Sequence, residues 1–523
     1  MRDLSYIIHL IGEYQTGGKQ HMACTTILVG KKASYDGSTM IARNDDSGAG
    51  NYTPKKYVIV HPEDQPRTYT TVLTHCTVQL PENPLRYSAV PNAVAGEGIW
   101  AACGVNEKNV GMTATETITS NERVLGADPL VEYVPASASG SDGSSEKAGG
   151  LGEEDFVVVV LPYITSAREG VLRLGELLEQ YGTNEMNGIA FSDKDEIWWM
   201  ETIGGHHWMA RRVPDDCYVV MPNQLGLDSF DLEDALGEGK NCLCSKDLRE
   251  FIAENHLDLS LDGSLNPRDA FGSHDDADHV YNTPRAWYML RYFNPHTYVW
   301  DGPDADYTPQ SDDLPWCMVP ERKITTEDVK YILSSHYQGT PYDPYLSYGD
   351  RSMSGAFRSI GINRTDFLGM VQIRPDLPEA CRALQWLAFG SNAFNAIVPF
   401  YPNVSHTEEY LGSTTGKVTT DSWYWTSRLI AALADASFGK SQFHIERYTF
   451  AVQSKVRQVV TQTDREVKQL LQAGAAGEGV EELLLAANGR IAQILREESE
   501  KVLKKVLDEA SNVMKNQYSR SDV

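Results

Sequence analysis

The feature that most constrains this chain is a buried strand with a cysteine at its first position. Cys24-Thr-Thr-Ile-Leu-Val-Gly30 is apolar and β-branched, the composition of a strand in a core. Tyr35-Asp36-Gly37 supplies a turn, and Ser38-Thr-Met-Ile-Ala-Arg43 reads as the returning strand. Antiparallel pairing would bring Cys24 to the same end as Arg43-Asn44-Asp45-Asp46. An Arg beside a sulfur favours the thiolate, and a carboxylate can orient an amine by hydrogen bonding. Taken singly, the cysteine also fits an ordinary core position, and Arg-Asn-Asp-Asp a solvated strand end.

Residues 1–23 read as a leader outside the fold. The stretch 4–11 is apolar but short, His9 and Glu13 interrupt or follow it, and Arg2 is balanced by Asp3. That is a poor secretory signal, so a cytoplasmic location is expected, with export as the alternative. Met22 is a second candidate start. Removing either 1–23 or Met22 and Ala23 alone gives Cys24 a free α-amine, with a pKa near ~8. One residue would then supply nucleophile and base, as an amino-terminal Thr does in some enzymes.

Composition narrows the partners. At 523 residues with a net charge of −26, the chain is a poor ligand for nucleic acid or an anionic membrane surface. No run of 18 apolar residues is present, so no membrane-spanning helix is expected. The eight cysteines are too scattered for a disulfide framework, and Cys242-Leu-Cys244 lacks a zinc spacing.

Further strands are predicted over 56–60, 69–73, 98–105 and 110–117. Residues 136–152 are rich in Ser, Gly and Ala and read as a flexible surface loop. Glu153-Glu154-Asp155 places acid at the start of a helical block. Ser166-Ala-Arg-Glu169 has capping-box spacing for a helix that stops at Gly182. Strands over 188–192, 197–202, 207–212 and 218–221 read as a β-meander. The tail over 480–514 is an amphipathic helix with Ile491, Leu495, Val502 and Val506 on one stripe, predicted to pack on its own subunit. The order of sheet, helices and meander points to a layered α+β protein.

Longer motifs make the sequence recognisable. The Cys24 strand with Ser38-Thr-Met-Ile-Ala-Arg-Asn-Asp-Asp46 resembles the C69 family of bacterial dipeptidases, which are N-terminal-nucleophile hydrolases. The resemblance continues through Gly104-Val-Asn-Glu-Lys-Asn-Val-Gly-Met-Thr113, Trp198-Trp-Met-Glu-Thr-Ile-Gly-Gly-His-His-Trp208, Met221-Pro-Asn-Gln224 and Tyr281-Asn-Thr-Pro-Arg285. It implies a four-layer αββα sandwich over 24–460, a C-terminal helical extension over 461–523, and a peptidase acting on dipeptides. By similarity to the related choloylglycine hydrolases, Cys24, Arg43, Asp46 and Asn223 are the expected catalytic residues. Asn223 would contact the tetrahedral intermediate, and Arg285 lies near an expected substrate-binding position. The second oxyanion Asn of those relatives has no counterpart here, because the stretch from Thr113 to Thr117 offers Thr and Glu instead. The mechanism implied is acyl transfer through a thioester, with no metal or cofactor required and a homo-oligomer expected.

Two other readings compete. His206-His207 and the acidic run from His274 to His279 suggest a metal hydrolase, but adjacent histidines on a strand point to opposite faces. An acylase acting on a penicillin or bile-acid type of amide belongs to the same superfamily, and a non-catalytic binding protein could keep the fold.

Overall fold

The computed structural model describes residues 24–48, 50–136, 145–474 and 477–516. The leader expected over 1–23 and the centre of the 136–152 loop lie outside them. In chain order the strands are β1 (Thr25–Val29), β2 (Thr39–Asp46), β3 (Val58–Val60), β4 (Thr68–Thr70), β5 (Thr77–Gln79), β6 (Tyr87–Ala89), β7 (Cys103–Val105), β8 (Gly111–Thr117), β9 (Asn187–Ser192), β10 (Ile197–Thr202), β11 (Trp208–Arg212), β12 (Tyr218–Met221), β13 (Cys242–Cys244), β14 (Cys317–Met318), β15 (Thr365–Ile373), β16 (Ala383–Phe389) and β17 (Val398–Phe400). Two antiparallel sheets dominate, in the orders β14-β12-β1-β2-β15-β16-β17 and β13-β11-β10-β9-β8-β7.

The period of two along β1 and β2 sorts their side chains. Ile27, Val29, Met40 and Ala42 share an apolar cluster with the helices Thr283–Phe293, Thr326–Leu333, Trp423–Ala436, Phe438–Gln472 and Gly477–Asn512. Leu28 and Ile41 instead share a cluster with Ala190 and Trp199 of the other sheet. A third cluster joins that second sheet, through Phe191, Trp198 and Met200, to the helices Phe156–Val160 and Ala167–Tyr181. Counting outward from Ile41 by twos, Arg43 and Asp45 face the second sheet, whereas Asn44 and Asp46 face the helices. Asn44 accordingly donates to the Leu333 carbonyl at 2.7 Å.

The β1–β2 hairpin forms as predicted, with Thr26 opposite Arg43 and Thr25 opposite Asn44. Ser166 caps Ala167–Tyr181 by accepting from the Glu169 N–H at 3.2 Å. The Glu169 carboxylate turns to the N–H and hydroxyl of Thr165, at 2.6 and 2.7 Å, and not to Ser166. The helix ends at Gly182, whose φ of 69° suits a residue without a Cβ.

The expected meander is corrected. β9, β10 and β11 are neighbours, but β12 leaves them and pairs with β1 in the other sheet. The chain crosses at Pro214-Asp215-Asp216, beneath Gly30. A Cβ on Gly30 would lie 2.5 Å from the Asp215 carbonyl oxygen, so only glycine allows this approach. The crossing carries the Met221-Pro-Asn-Gln224 segment to the Cys24 end of the first sheet.

The tail stripe packs on its own chain, with Ile491, Leu495 and Val506 fully buried against the helix-side cluster. The expected boundary at 460/461 falls inside the single helix Phe438–Gln472. Residues on both sides of it join the same core as Ile27.

Candidate active site

Cys24 is fully buried at the start of β1. Arg43, on the same face, donates from Nη2 to Asp45 Oδ1 at 2.5 Å and to Glu153 Oε1 at 2.7 Å. Lys55 pairs with the second Asp45 oxygen at 2.9 Å. From β8, Glu116 accepts the Thr26 hydroxyl on Oε2 at 2.7 Å, and the Thr115 N–H donates to Glu153 Oε1 at 3.2 Å. Burial pushes the Cys24 thiol well above its ordinary pKa; Arg43 opposes this, and Glu153, Glu116 and Asp45 add to it. Burial likewise raises Glu116 to about 8 and Glu153 to about 7. Asp45 feels the same burial, but Lys55 and Arg43 hold it below the usual carboxylate range.

Asn223 and Arg285 form the other side of the site. Arg285 is fully buried near the start of Thr283–Phe293, and all five of its donors are spent within the protein. Nε reaches the Tyr281 carbonyl at 2.7 Å, Nη1 the Cys24 carbonyl and Thr25 Oγ1, and Nη2 Asn223 Oδ1 at 2.8 Å and Asn282 Oδ1 at 2.6 Å. Asn282 also brackets the Asn223 backbone, accepting from its N–H at 3.1 Å and donating to its carbonyl at 3.2 Å. One Asn223 Nδ2 proton goes to the Thr117 carbonyl at 2.9 Å. An amide nitrogen carries two protons, so one is left for a ligand.

The hairpin thus joins Cys24 to Arg43, and Arg285 joins Cys24 to Asn223. Asp46 stands apart from the thiol. The pleat turns it to the helix side, where it accepts from Arg358 and from Thr365 Oγ1 at 2.5 Å. Arg285, predicted to contact substrate, has the bonding of a residue that positions Cys24 and Asn223.

Asp45, Glu116, Glu153 and Asn282 were not singled out from sequence. Glu116 lies in the stretch from Thr113 to Thr117, already conspicuous for offering Thr and Glu where an Asn was sought. Glu153 was read as acid at a helix start. The helix that follows has only five residues, and the three acids clamp other segments: Glu153 takes Arg43, Glu154 the N–H groups of Val72 and Leu73, and Asp155 the Tyr69 hydroxyl.

The Cys24 sulfur and one oxygen each of Asp45 and Glu153 lie within 4.8 Å of one another and could ligate a metal ion. Arg43 and Lys55 already meet the charge of those carboxylates. His206 and His207 prove to lie in a turn before β11, and both Nδ1 atoms bond the Asp128 carboxylate, at 3.0 and 2.7 Å. The acidic run ends in the short helix Asp278–Tyr281, with His279 bonded to Asp312 at 3.0 Å. Among the described residues, no helix is long and apolar enough to cross a membrane.

The model of the family named Peptidase family C69 matches residues 23–450. A protein named dipeptidase from Bifidobacterium longum is 54% identical, the match covering 96% of this chain and 100% of the relative. A probable dipeptidase A of Streptococcus pyogenes serotype M3 is 51% identical over 96% of this chain and all of its own. Dipeptidase A of Lactobacillus helveticus is 43% identical over 95% of this chain and 99% of its own. With the family match running from the residue before Cys24 to the long helix behind the first sheet, this chain belongs to peptidase family C69.

Proposed function

We propose that this protein is a dipeptidase that opens the peptide bond of dipeptides with Cys24 as an amino-terminal nucleophile. The fold we assign is an αββα sandwich of the N-terminal-nucleophile hydrolase type. Its support is the order of the three apolar clusters, helix–sheet, sheet–sheet and sheet–helix.

Removal of residues 1–23 frees the Cys24 α-amine, which takes the thiol proton. The ladder pairs Thr25 with Asn44, and continuing its register by one and two residues supports an approach of the Cys24 nitrogen toward Asp46. Asp46, held by Arg358 and Thr365, is assigned to orient that amine. Sγ attacks the peptide carbonyl beside Arg43, whose charge favours the thiolate. The second Asn223 Nδ2 proton and a backbone N–H receive the oxyanion. The amine passes its proton to the leaving nitrogen as the C–N bond breaks, and the first amino-acid residue remains as a thioester. Water, giving a proton to the same amine, attacks the thioester and releases the acid and the thiol.

The observation that carries this reading is Arg285, which holds the Cys24 carbonyl and the Asn223 amide in one buried network. The test is amino-terminal sequencing and intact mass of active protein, with rates on dipeptides and on acylated amides. Active protein is expected to begin at Cys24 and to prefer dipeptides, and Cys24→Ala to be inactive. Activity in protein that retains residues before Cys24, or in Cys24→Ala, would overturn the mechanism.

A further inference from the structure

The proposed reaction leaves two buried carboxylates beside the nucleophile without a task. Glu116 spends Oε2 on Thr26, and its Oε1 has no partner among the described residues. Glu153 spends Oε1 on Arg43 and the Thr115 N–H, and its Oε2 has none. The Asn187 amide nitrogen on β9 and the Thr117 hydroxyl on β8 are also unmet. These side chains are 0%, 1%, 0% and 8% exposed, so water does not reach them freely. A buried polar atom without a partner calls for a reason, and for a group of them beside a nucleophile a polar group of the substrate is one.

Geometry indicates which ligand group fits. One Glu153 oxygen lies within 4.8 Å of the Cys24 sulfur. In a dipeptide the α-nitrogen stands about 2.5 Å from the carbonyl carbon, and that carbon approaches the attacking sulfur to about 3–3.5 Å. An α-ammonium group attached to that carbon can come within hydrogen-bond reach of a carboxylate in the Glu153 position. We infer that the free oxygens of Glu116 and Glu153 receive the α-ammonium group of the residue that supplies the scissile carbonyl. They would restrict the enzyme to peptides whose amino terminus is free at that residue. This inference rests on the dipeptidase reading and adds to it the basis for selecting the substrate's first residue.

The surrounding charges agree. Arg43 and Lys55 are engaged by Asp45 and Glu153, whereas Glu116 has no ion pair among the described residues. Arg285, Arg43 and Arg358 act on Glu116 from a distance; Arg43, Asp45, Glu185 and Lys55 act on Glu153. A bound ammonium ion would supply the close cation that Glu116 lacks.

The test compares kcat/KM for a dipeptide and its desamino analogue, identical except for the missing amine. The parent enzyme is expected to favour the dipeptide by about 30-fold or more, the effect of losing a close buried charge pair with the substrate. Glu116→Gln and Glu153→Gln should each reduce that ratio by about tenfold, mainly through KM for the dipeptide. Retention of the parent's ratio by both variants, or slowing of both substrates equally, overturns the inference. A measurement on the parent protein covers variants that fail to fold. The amino acid released from the amino-terminal side should inhibit at least about tenfold more tightly than its desamino acid, and equal inhibition overturns the inference. Failure of the parent to hydrolyse any dipeptide would instead sink the reading on which it rests.

Discussion

Replacing Arg285 by Lys tests whether one side chain holds the two halves of the site together. Arg285 makes five hydrogen bonds, to Tyr281, Cys24, Thr25, Asn223 and Asn282. A lysine ammonium has three protons and no fork, so at least two of those acceptors lose their donor. A buried acceptor left unmet costs about 1–3 kcal/mol, which puts the loss of stability at about 2–6 kcal/mol. Thr25 can rotate its hydroxyl toward another group and Asn282 Oδ1 keeps the Asn223 N–H, which favours the lower half of that range. The kinetic cost comes through Asn223, whose carbonyl oxygen would no longer be fixed at 2.8 Å from Nη2. Loss of one aligned oxyanion donor lowers kcat by about 10²–10³-fold. Urea unfolding and steady-state hydrolysis of a dipeptide measure the two effects on the same preparation. Arg285→Lys with an unchanged midpoint and a kcat within about threefold of the parent's would show that the network does not position the site.

Asn223→Ala should reduce kcat by about 10²–10³-fold with little change in KM, because its free proton meets the oxyanion and not the ground state. Arg43→Gln should raise the pH at which mature Cys24 is alkylated by iodoacetamide by at least about one unit, because the cation opposing the burial of the thiol is gone. Glu201 gives a pH signature of stability: burial raises its carboxyl to about 7, while its Oε1 accepts from the Trp199 indole and the Gly226 N–H. A raised carboxyl contributes fully below its unfolded value near 4.5, and that contribution is lost as pH rises through about 7. It amounts to about 3 kcal/mol, so Glu201→Gln should flatten stability measured by urea between about pH 4 and 8. Gly30→Ala should destabilise by more than about 2 kcal/mol and lower activity, since its Cβ would press on the crossing that carries Asn223; an unaffected variant would count against that role.

What was legible in the sequence was local. The β1–β2 hairpin, the Ser166 cap and the tail stripe each depend on a few neighbouring residues and a known period. The destination of β12 does not. Its apolar run identifies a strand, but the choice between following β11 and crossing to β1 is made by Gly30 against Pro214 and Asp215, a contact between distant segments. The histidine pair shows the same limit: the opposite-face argument assumed a strand, whereas Gly204 and Gly205 extend the turn and Asp128 draws both rings to itself. The facing of β2 was closer to hand. Pairing plus alternation puts Asp45, not Asp46, on the side of Arg43, but motif spacing alone does not state which face each carboxylate takes. Glu116 and Glu153 carry only weak local marks, a Glu where an Asn was sought and an acid at a helix start, because their importance comes from the second sheet lying over Cys24.

The site therefore divides along the plane of the first sheet. On the helix side, Arg285 has every donor engaged and Asp46 is held by two partners, as suits groups that must not move. Toward the second sheet, among the described residues, Arg43 keeps Nε and Nη1 unbonded, and Glu116, Glu153 and Asn187 each keep an unmet polar atom. Unsatisfied groups are costly in a core, and bonding with substrate is one way in which that cost is recovered. The same asymmetry separates two kinds of substitution. Changes on the helix side should act through stability and kcat together, because they loosen the frame. Changes toward the second sheet should act on which substrates are accepted, because they alter what the open atoms can bind.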